Sequence, residues 1–176
     1  MPVSYPYRVI RYHFDHFKNS HWKQRIKELE GKSITAPRDV AAIAPVFIAT
    51  WIRENFLVYH LDARGCLIGV DQVSVGTDTA ALIHPKQVYA GAFHLGSNAI
   101  VCVHNHPSGN VSPSSEDKSV TRRLATAGEI LGIRLFDHVI INHEGDFHSI
   151  KESSPDDVEP ESYSILKQAR GSFEEF

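Results

Sequence analysis

The sequence predicts an α/β domain built on one mixed sheet with helices covering it. Helical and extended patterns run in the order helix, two strands, helix, strand, helix, two strands. The run Ala99–Val103 is apolar throughout, as expected of a short central strand. The strands flanking Asp62-Ala63-Arg64-Gly65 lie so close in sequence that an antiparallel hairpin is their natural arrangement.

Residues 1–33 read as an N-terminal extension. Tyr5 to Phe17 is aromatic and basic, and Trp22 to Glu30 has helical spacing that stops at Gly31. A helix is predicted from Pro37 through Ile48, with Pro45 kinking it or ending it early. Asn55–Leu61 is a strand apolar on both faces, and Cys66–Val75 is its hairpin partner. Pro85 opens a helix that closes at Gly96, and Ala99–Val103 follows. A polar loop, 104–113, leads into a helix from Ser114 to Leu131. Val120, Leu124, Ala127 and Leu131 form its apolar stripe, and Gly132 ends it. Arg134–Asn142 and Phe147–Ile150 are the last strands, joined by a turn at 143–146. The domain so defined is 34–151. Residues 152–176, rich in Ser, Asp, Glu and Pro, are predicted to be a mobile tail with one short helix near Tyr163–Arg170.

The chain has 176 residues, a formal net charge of −3 and two cysteines, neither in a Cys-x-x-Cys pair. That balance argues against a general nucleic-acid binder, so DNA is not an expected partner. No apolar run is long enough for a bilayer, and the first residues show no secretory pattern. A cytoplasmic protein with reduced thiols is the expectation.

The chemistry concentrates at His104-Asn105-His106-Pro107-Ser108-Gly109, with Asp117 eleven residues after the second histidine. If Ala99–Val103 stays extended, Ile100, Cys102, His104 and His106 share one face, and Asn105 lies on the other, where it can pin the loop. Both imidazoles then leave the C-terminal end of a buried strand, where α/β sheets open into a crevice. Asp117 precedes Val120 and Leu124 on the helix stripe, so its carboxylate aims at the core and needs a partner. Two His and one Asp are three ligands for one zinc ion per chain, an open arrangement suited to catalysis. Ser114-x-x-Asp117 also matches a capping box, so Ser114 is expected to cap the helix in any case. Glu54, on the strand face of Phe56 and Val58, is the candidate proton shuttle. His138 is either a hydrogen-bond partner of the site or a satisfied core histidine.

These residues resemble the RadC-like branch of the JAMM (MPN-plus, JAB) zinc metalloprotease superfamily. Its pattern is an upstream Glu, His-x-His, seven residues, then Ser-x-x-Asp, and all of it is present here in register. Further matches are Glu54-Asn55-Phe56, Leu61-Asp62, Val73-Ser74-Val75-Gly76-Thr77, His84-Pro85 and Leu135-Phe136-Asp137-His138-Val139-Ile140. The resemblance implies a three-layer α/β/α fold similar to that of cytidine deaminases. It implies zinc ligands His104, His106 and Asp117, Glu54 as general base and acid, and Ser114 as a donor to the oxyanion. Asn55 stands where that family commonly has His, and Lys86 where it has Arg. The helix-hairpin-helix segment typical upstream of such domains is not evident in residues 1–33. The contiguous His-Asn-His does not fit an HNH nuclease.

Three functions compete. The first is a metallohydrolase that cleaves a peptide or a ubiquitin-like conjugate with metal-activated water. The second is a RadC-type DNA-maintenance protein, against which the acidic charge and the missing hairpin module count. The third is a non-catalytic interaction domain, which would not need the full ligand set.

Overall fold

In a computed structural model, the described part of the chain comprises residue 29 and residues 31–48, 50–76 and 83–159. The element order is α1 (Pro37–Ile43), a 3₁₀ turn (Ala44–Val46), β1 (Glu54–Leu61), β2 (Leu67–Gly76), α2 (Pro85–Leu95), β3 (Ala99–Asn105), α3 (Ser115–Leu131), β4 (Arg134–Ile141), β5 (Phe147–Ser149), α4 (Ile150–Ser153) and α5 (Pro155–Val158). The strands form one five-stranded sheet in the order β2-β1-β3-β4-β5. β1 is antiparallel to both β2 and β3, β3 is parallel to β4, and β4 is antiparallel to β5. The parallel pair needs a crossover, and α3 supplies it.

The predicted mixed α/β sheet is the observed one, and helices cover it on two sides. On β3, successive side chains divide between two cores. Ile100 and Cys102 pack with Phe56, Val58, Val88, Tyr89, Val120 and Leu124, under α2 and α3. Val101 and Val103 pack with Leu57, Tyr59, Val40 and Ile43, under α1. This makes three layers, α/β/α. The layer of α2 and α3 is tightly joined: the Tyr89 hydroxyl donates to the Leu124 carbonyl at 2.8 Å. Gly128 lies at that seam, where a side-chain carbon would run into the same hydroxyl and the Ile133 carbonyl.

Pro45 ends the first α-helix early: regular α-helix stops at Ile43 and a 3₁₀ turn carries the chain to Val46. Gly96 and Gly132, both left-handed, close α2 and α3. β3 runs two residues beyond the predicted strand, through His104 and Asn105. His104 pairs with Phe56 of β1 and Ile140 of β4, and Asn105 with Ile141 of β4, so the ladder carries the first imidazole inside the sheet. Cys102 is a buried free thiol whose pKa burial pushes well up, and Cys66 is half-buried.

The polar segment after residue 151 differs from the expected tail at its start. Ser149 caps α4, α5 follows, and Val158 is buried in the core under α3. Arg122 holds Asp157 at 2.6 Å. Arg134 likewise holds Glu159 at 2.7 Å, and one apolar side chain with a few ion pairs in an otherwise polar stretch has no helical period to reveal it. The helix expected near 163–170 and all but residue 29 of the one expected at Trp22–Glu30 lie outside the described residues. Among the described residues no helix is long and apolar enough to cross a membrane.

Candidate metal centre

His104, His106 and Asp117 come together at the C-terminal end of β3, where the chain leaves the sheet for α3. Their ligand atoms all lie within 4.8 Å of one another. His104 Nε2 is 3.0 Å from His106 Nε2 and 3.1 Å from Asp117 Oδ1; His106 Nε2 is 3.2 Å from Asp117 Oδ2. His104 and Asp117 are buried and His106 is half-buried, so the cluster opens to solvent on one side.

Each side chain is placed by its own element. His104 is the last core-facing residue of β3; it sits across from Phe56 and stacks on its ring. His106 follows the end of the strand, and its ring is tied to the loop: Nδ1 lies 2.6 Å from the Asn110 carbonyl. A carbonyl only accepts, so His106 Nδ1 carries the hydrogen and Nε2 offers its lone pair inward when the ring is neutral. Gly109, at φ +78°, makes the turn that brings Asn110 under the ring, and Asn142 Nδ2 donates to its carbonyl at 3.1 Å.

Asp117 combines the two readings weighed from sequence. Ser114 caps α3 by accepting from Asp117 N–H at 3.1 Å, and Asp117 Oδ2 accepts from Ser114 N–H at 2.7 Å. The Ser114 hydroxyl also donates to Oδ2, at 2.7 Å. The carboxylate is therefore a capping-box acid and a partner of both imidazoles at once. Burial pushes its pKa up, but hydrogen bonds from His104 and His106, the charge of His104 and the Ser114 hydroxyl outweigh it. The net result lies well below the usual carboxylate range. Conversely, the hydrogen bond to Asp117 raises the pKa of His106 against the effect of burial, helped by the Asn110 carbonyl, Asp117 and Glu54. The pocket between these groups favours positive charge.

The donor set fits a divalent cation. Two imidazole nitrogens and a carboxylate at mutual distances of 3.0–3.2 Å are close to the edges of about 3.3 Å in a tetrahedron with metal–ligand bonds of about 2.0–2.1 Å.

Around this centre, Glu54 opens β1 on the sheet face of Phe56, on the side of His106, whose pKa its charge helps to raise. Asn105 faces away from the cluster and is fully buried. Its Oδ1 accepts from Asn55 N–H and from Asn55 Nδ2, both at 3.0 Å, and its Nδ2 donates to the carbonyls of Trp51 (3.3 Å) and Arg53 (3.0 Å). It thus clamps the turn that delivers Glu54. Asn55 completes the clamp by donating to the carbonyls of Thr50 and Arg53, both at 2.8 Å. His138, fully buried, puts Nε2 2.8 Å from His104 Nδ1. Its pKa is held well below the ordinary imidazole value, first by burial and then by the charge of His104. Two neighbours went unnoticed in the sequence. Asn110 sits in the turn after His106; Thr121 lies one helical turn after Asp117 on the same buried face, a spacing that would have found it.

The comparisons agree with one another. A family model described as RadC-like JAB domain matches residues 34–155. A "UPF0758 protein" of Moorella thermoacetica is 44% identical over 119 residues, covering 68% of this chain and 52% of the relative. A namesake from Desulfitobacterium hafniense (strain DSM 10664 / DCB-2) is 42% identical over the same length and the same shares. Another, from Pelodictyon phaeoclathratiforme, is 41% identical over 140 residues, 80% of this chain and 61% of the relative. The chain spans about half the length of most curated relatives it matches. With the family match reaching from Ser33's neighbour Ile34 through β1, β3 and α3, which carry the cluster, this chain belongs to the RadC-like JAB domain family.

Proposed function

We propose that this domain is a zinc-dependent metallohydrolase that cleaves a peptide or isopeptide bond. The observation that carries the reading is the convergence of His104 Nε2, His106 Nε2 and one Asp117 carboxylate around a single solvent-open point. His104, His106 and Asp117 would hold the ion. Zinc held by three protein groups supplies a water acidified to a pKa of about 7 and a Lewis acid for a carbonyl oxygen.

The remaining roles fall to the chain's own side chains. Glu54 Oε accepts a proton from the attacking water and returns it to the leaving amine nitrogen. Asn105 and Asn55 fix the turn from which Glu54 projects. Ser114 Oγ–H is the donor that the family resemblance assigns to the oxyanion. It donates to Asp117 Oδ2, so stabilising an oxyanion requires it to exchange one anionic acceptor for another.

The test is metal analysis of the purified protein together with hydrolysis of a panel of peptides and isopeptides. Glu54→Gln is expected to retain zinc and lose turnover. Undiminished turnover in that variant refutes the shuttle, and failure of the wild-type chain to take up zinc refutes the whole reading.

A further inference from the structure

Behind His104 a line of hydrogen bonds runs across three elements. Thr121 Oγ1 lies 2.6 Å from the Asp117 carbonyl and 2.7 Å from His138 Nδ1. His138 Nε2 lies 2.8 Å from His104 Nδ1. Thr121, His138, His104 and Asp117 are all buried, at 0–2% exposure, so bulk water does not offer alternative partners.

The positions of the hydrogens follow from which atoms can donate. The Asp117 carbonyl only accepts, so the single hydroxyl hydrogen of Thr121 points at it. Toward His138 the threonine oxygen can then only accept, so His138 Nδ1 carries a hydrogen. His138 is fully buried, with the Phe56 ring edge-on at 5.4 Å, and a neutral imidazole has one N–H and one acceptor nitrogen. Its Nε2 is therefore a bare acceptor, and His104 Nδ1 must be the donor. That makes Nε2, which faces His106 and Asp117, the nitrogen through which His104 can ligate an ion.

We infer that Thr121 and His138 are positioning residues that fix the tautomer of His104, so that its Nε2 is delivered ready to bind a metal. The inference rests on the metal-site reading and deepens it. Ligating histidines commonly donate their other N–H to a carboxylate or a carbonyl. Here the acceptor is a second histidine, which could itself flip tautomer. Thr121 removes that freedom, because the same hydroxyl is committed to the backbone of the third ligand residue. One threonine on α3 thus couples the ligand from β3 to the ligand from its own helix through β4.

Thr121→Val keeps the shape and removes the hydroxyl. His138 then loses the acceptor for Nδ1–H and can carry its hydrogen on Nε2, where it meets His104 Nδ1. His104 must answer by moving its hydrogen to Nε2, the atom that zinc needs. Two measurements on the full chain test this. The first is nitrogen NMR of the imidazoles in zinc-free protein, which reads each ring nitrogen directly. His104 Nδ1 is expected to carry a hydrogen in the wild type, and a bare Nδ1 overturns the inference. The second is zinc affinity by competition with a chelator. Thr121→Val is expected to weaken binding about 10–100-fold, and Thr121→Ser, which restores the hydroxyl, is expected to recover it. Unchanged affinity in Thr121→Val with His104 Nδ1 still protonated overturns the inference. A wild type that takes up no zinc sinks the proposed hydrolase alone, because the nitrogen spectrum still decides the hydrogen positions.

Discussion

Asn105 makes four hydrogen bonds from a fully buried side chain, and its truncation separates the sheet's stability from the His104, His106 and Asp117 cluster on the opposite face. In Asn105→Ala, Asn55 Nδ2 keeps its bonds to Thr50 and Arg53, and the Arg53 carbonyl keeps Asn55. Asn55 N–H is a single donor and loses its acceptor, a loss of about 1–3 kcal/mol for a buried group. The Trp51 carbonyl loses a longer bond, worth about 1 kcal/mol or less. The expected destabilisation is about 3 kcal/mol, a large fraction of a total stability of about 5–15 kcal/mol.

Urea denaturation measures it, with an unchanged slope showing that the folded state is the same. Asn105→Asp keeps an acceptor for Asn55 but sets an oxygen against two carbonyls, so its loss should be at least as large. Zinc uptake should persist in whichever variant folds, because the ligands project from the other side of β3. A loss below about 1 kcal/mol for Asn105→Ala would show that the turn before β1 is held by other means, and the clamp on Glu54 would fall with it.

Other substitutions and conditions give equally direct outcomes. Ser114→Ala removes the cap of α3 and a donor to Asp117, and should cost about 1–2 kcal/mol in denaturant unfolding; no loss would show the cap to be idle. Gly128→Ala would gain up to about 1 kcal/mol in an open helix, yet here the new carbon meets a hydroxyl and a backbone carbonyl. Overpacking of about 1–3 kcal/mol should win, and a raised Tm would refute the close approach. His138 has a lowered pKa in the folded chain, so the unfolded chain binds the extra proton first. Its contribution is complete above the unfolded value of about 6.5 and is lost as pH falls below it, with a slope of up to about 1.4 kcal/mol per pH unit. Unfolding of chelator-treated protein between neutral and mildly acid pH should show a shallower slope in His138→Asn than in the wild type; equal slopes would mean that His138 is protonated in the fold.

Much of this architecture was legible because it rests on local rules. Pro85 and Gly96 bracket α2, Gly132 stops α3, and the even division of β3 between two cores follows from strand alternation alone. The convergence of His104, His106 and Asp117 was legible for the same reason, since His104 and His106 are one strand period apart and Asp117 lies on a readable helical stripe. What the sequence hid depends on contacts between distant elements. Thr121 pairs with His138 across 17 residues, and Asn105 with Trp51 and Arg53 across more than 50. No spacing rule brings such pairs together; only the finished sheet does. α5 escaped notice because a single valine and a few ion pairs dock it, too little to impose a period.

Asp117 shows that the capping reading and the proposed metal reading do not exclude one another. A helix N-terminus favours negative charge, so it holds the carboxylate ionised in a buried place where it would otherwise be expensive. The Ser114 backbone and hydroxyl fix its orientation, and the imidazoles meet the oxygens that remain available. The cap therefore orients the carboxylate that the proposed metal site would use. A consequence separates this from two independent roles. Asp117→Asn keeps an oxygen for the Ser114 N–H and so preserves most of the cap, but it loses the charge that draws a cation. Helix stability should fall by less than about 1 kcal/mol while zinc binding is lost. A variant that loses cap and metal together would show that α3 itself depends on the ionised carboxylate.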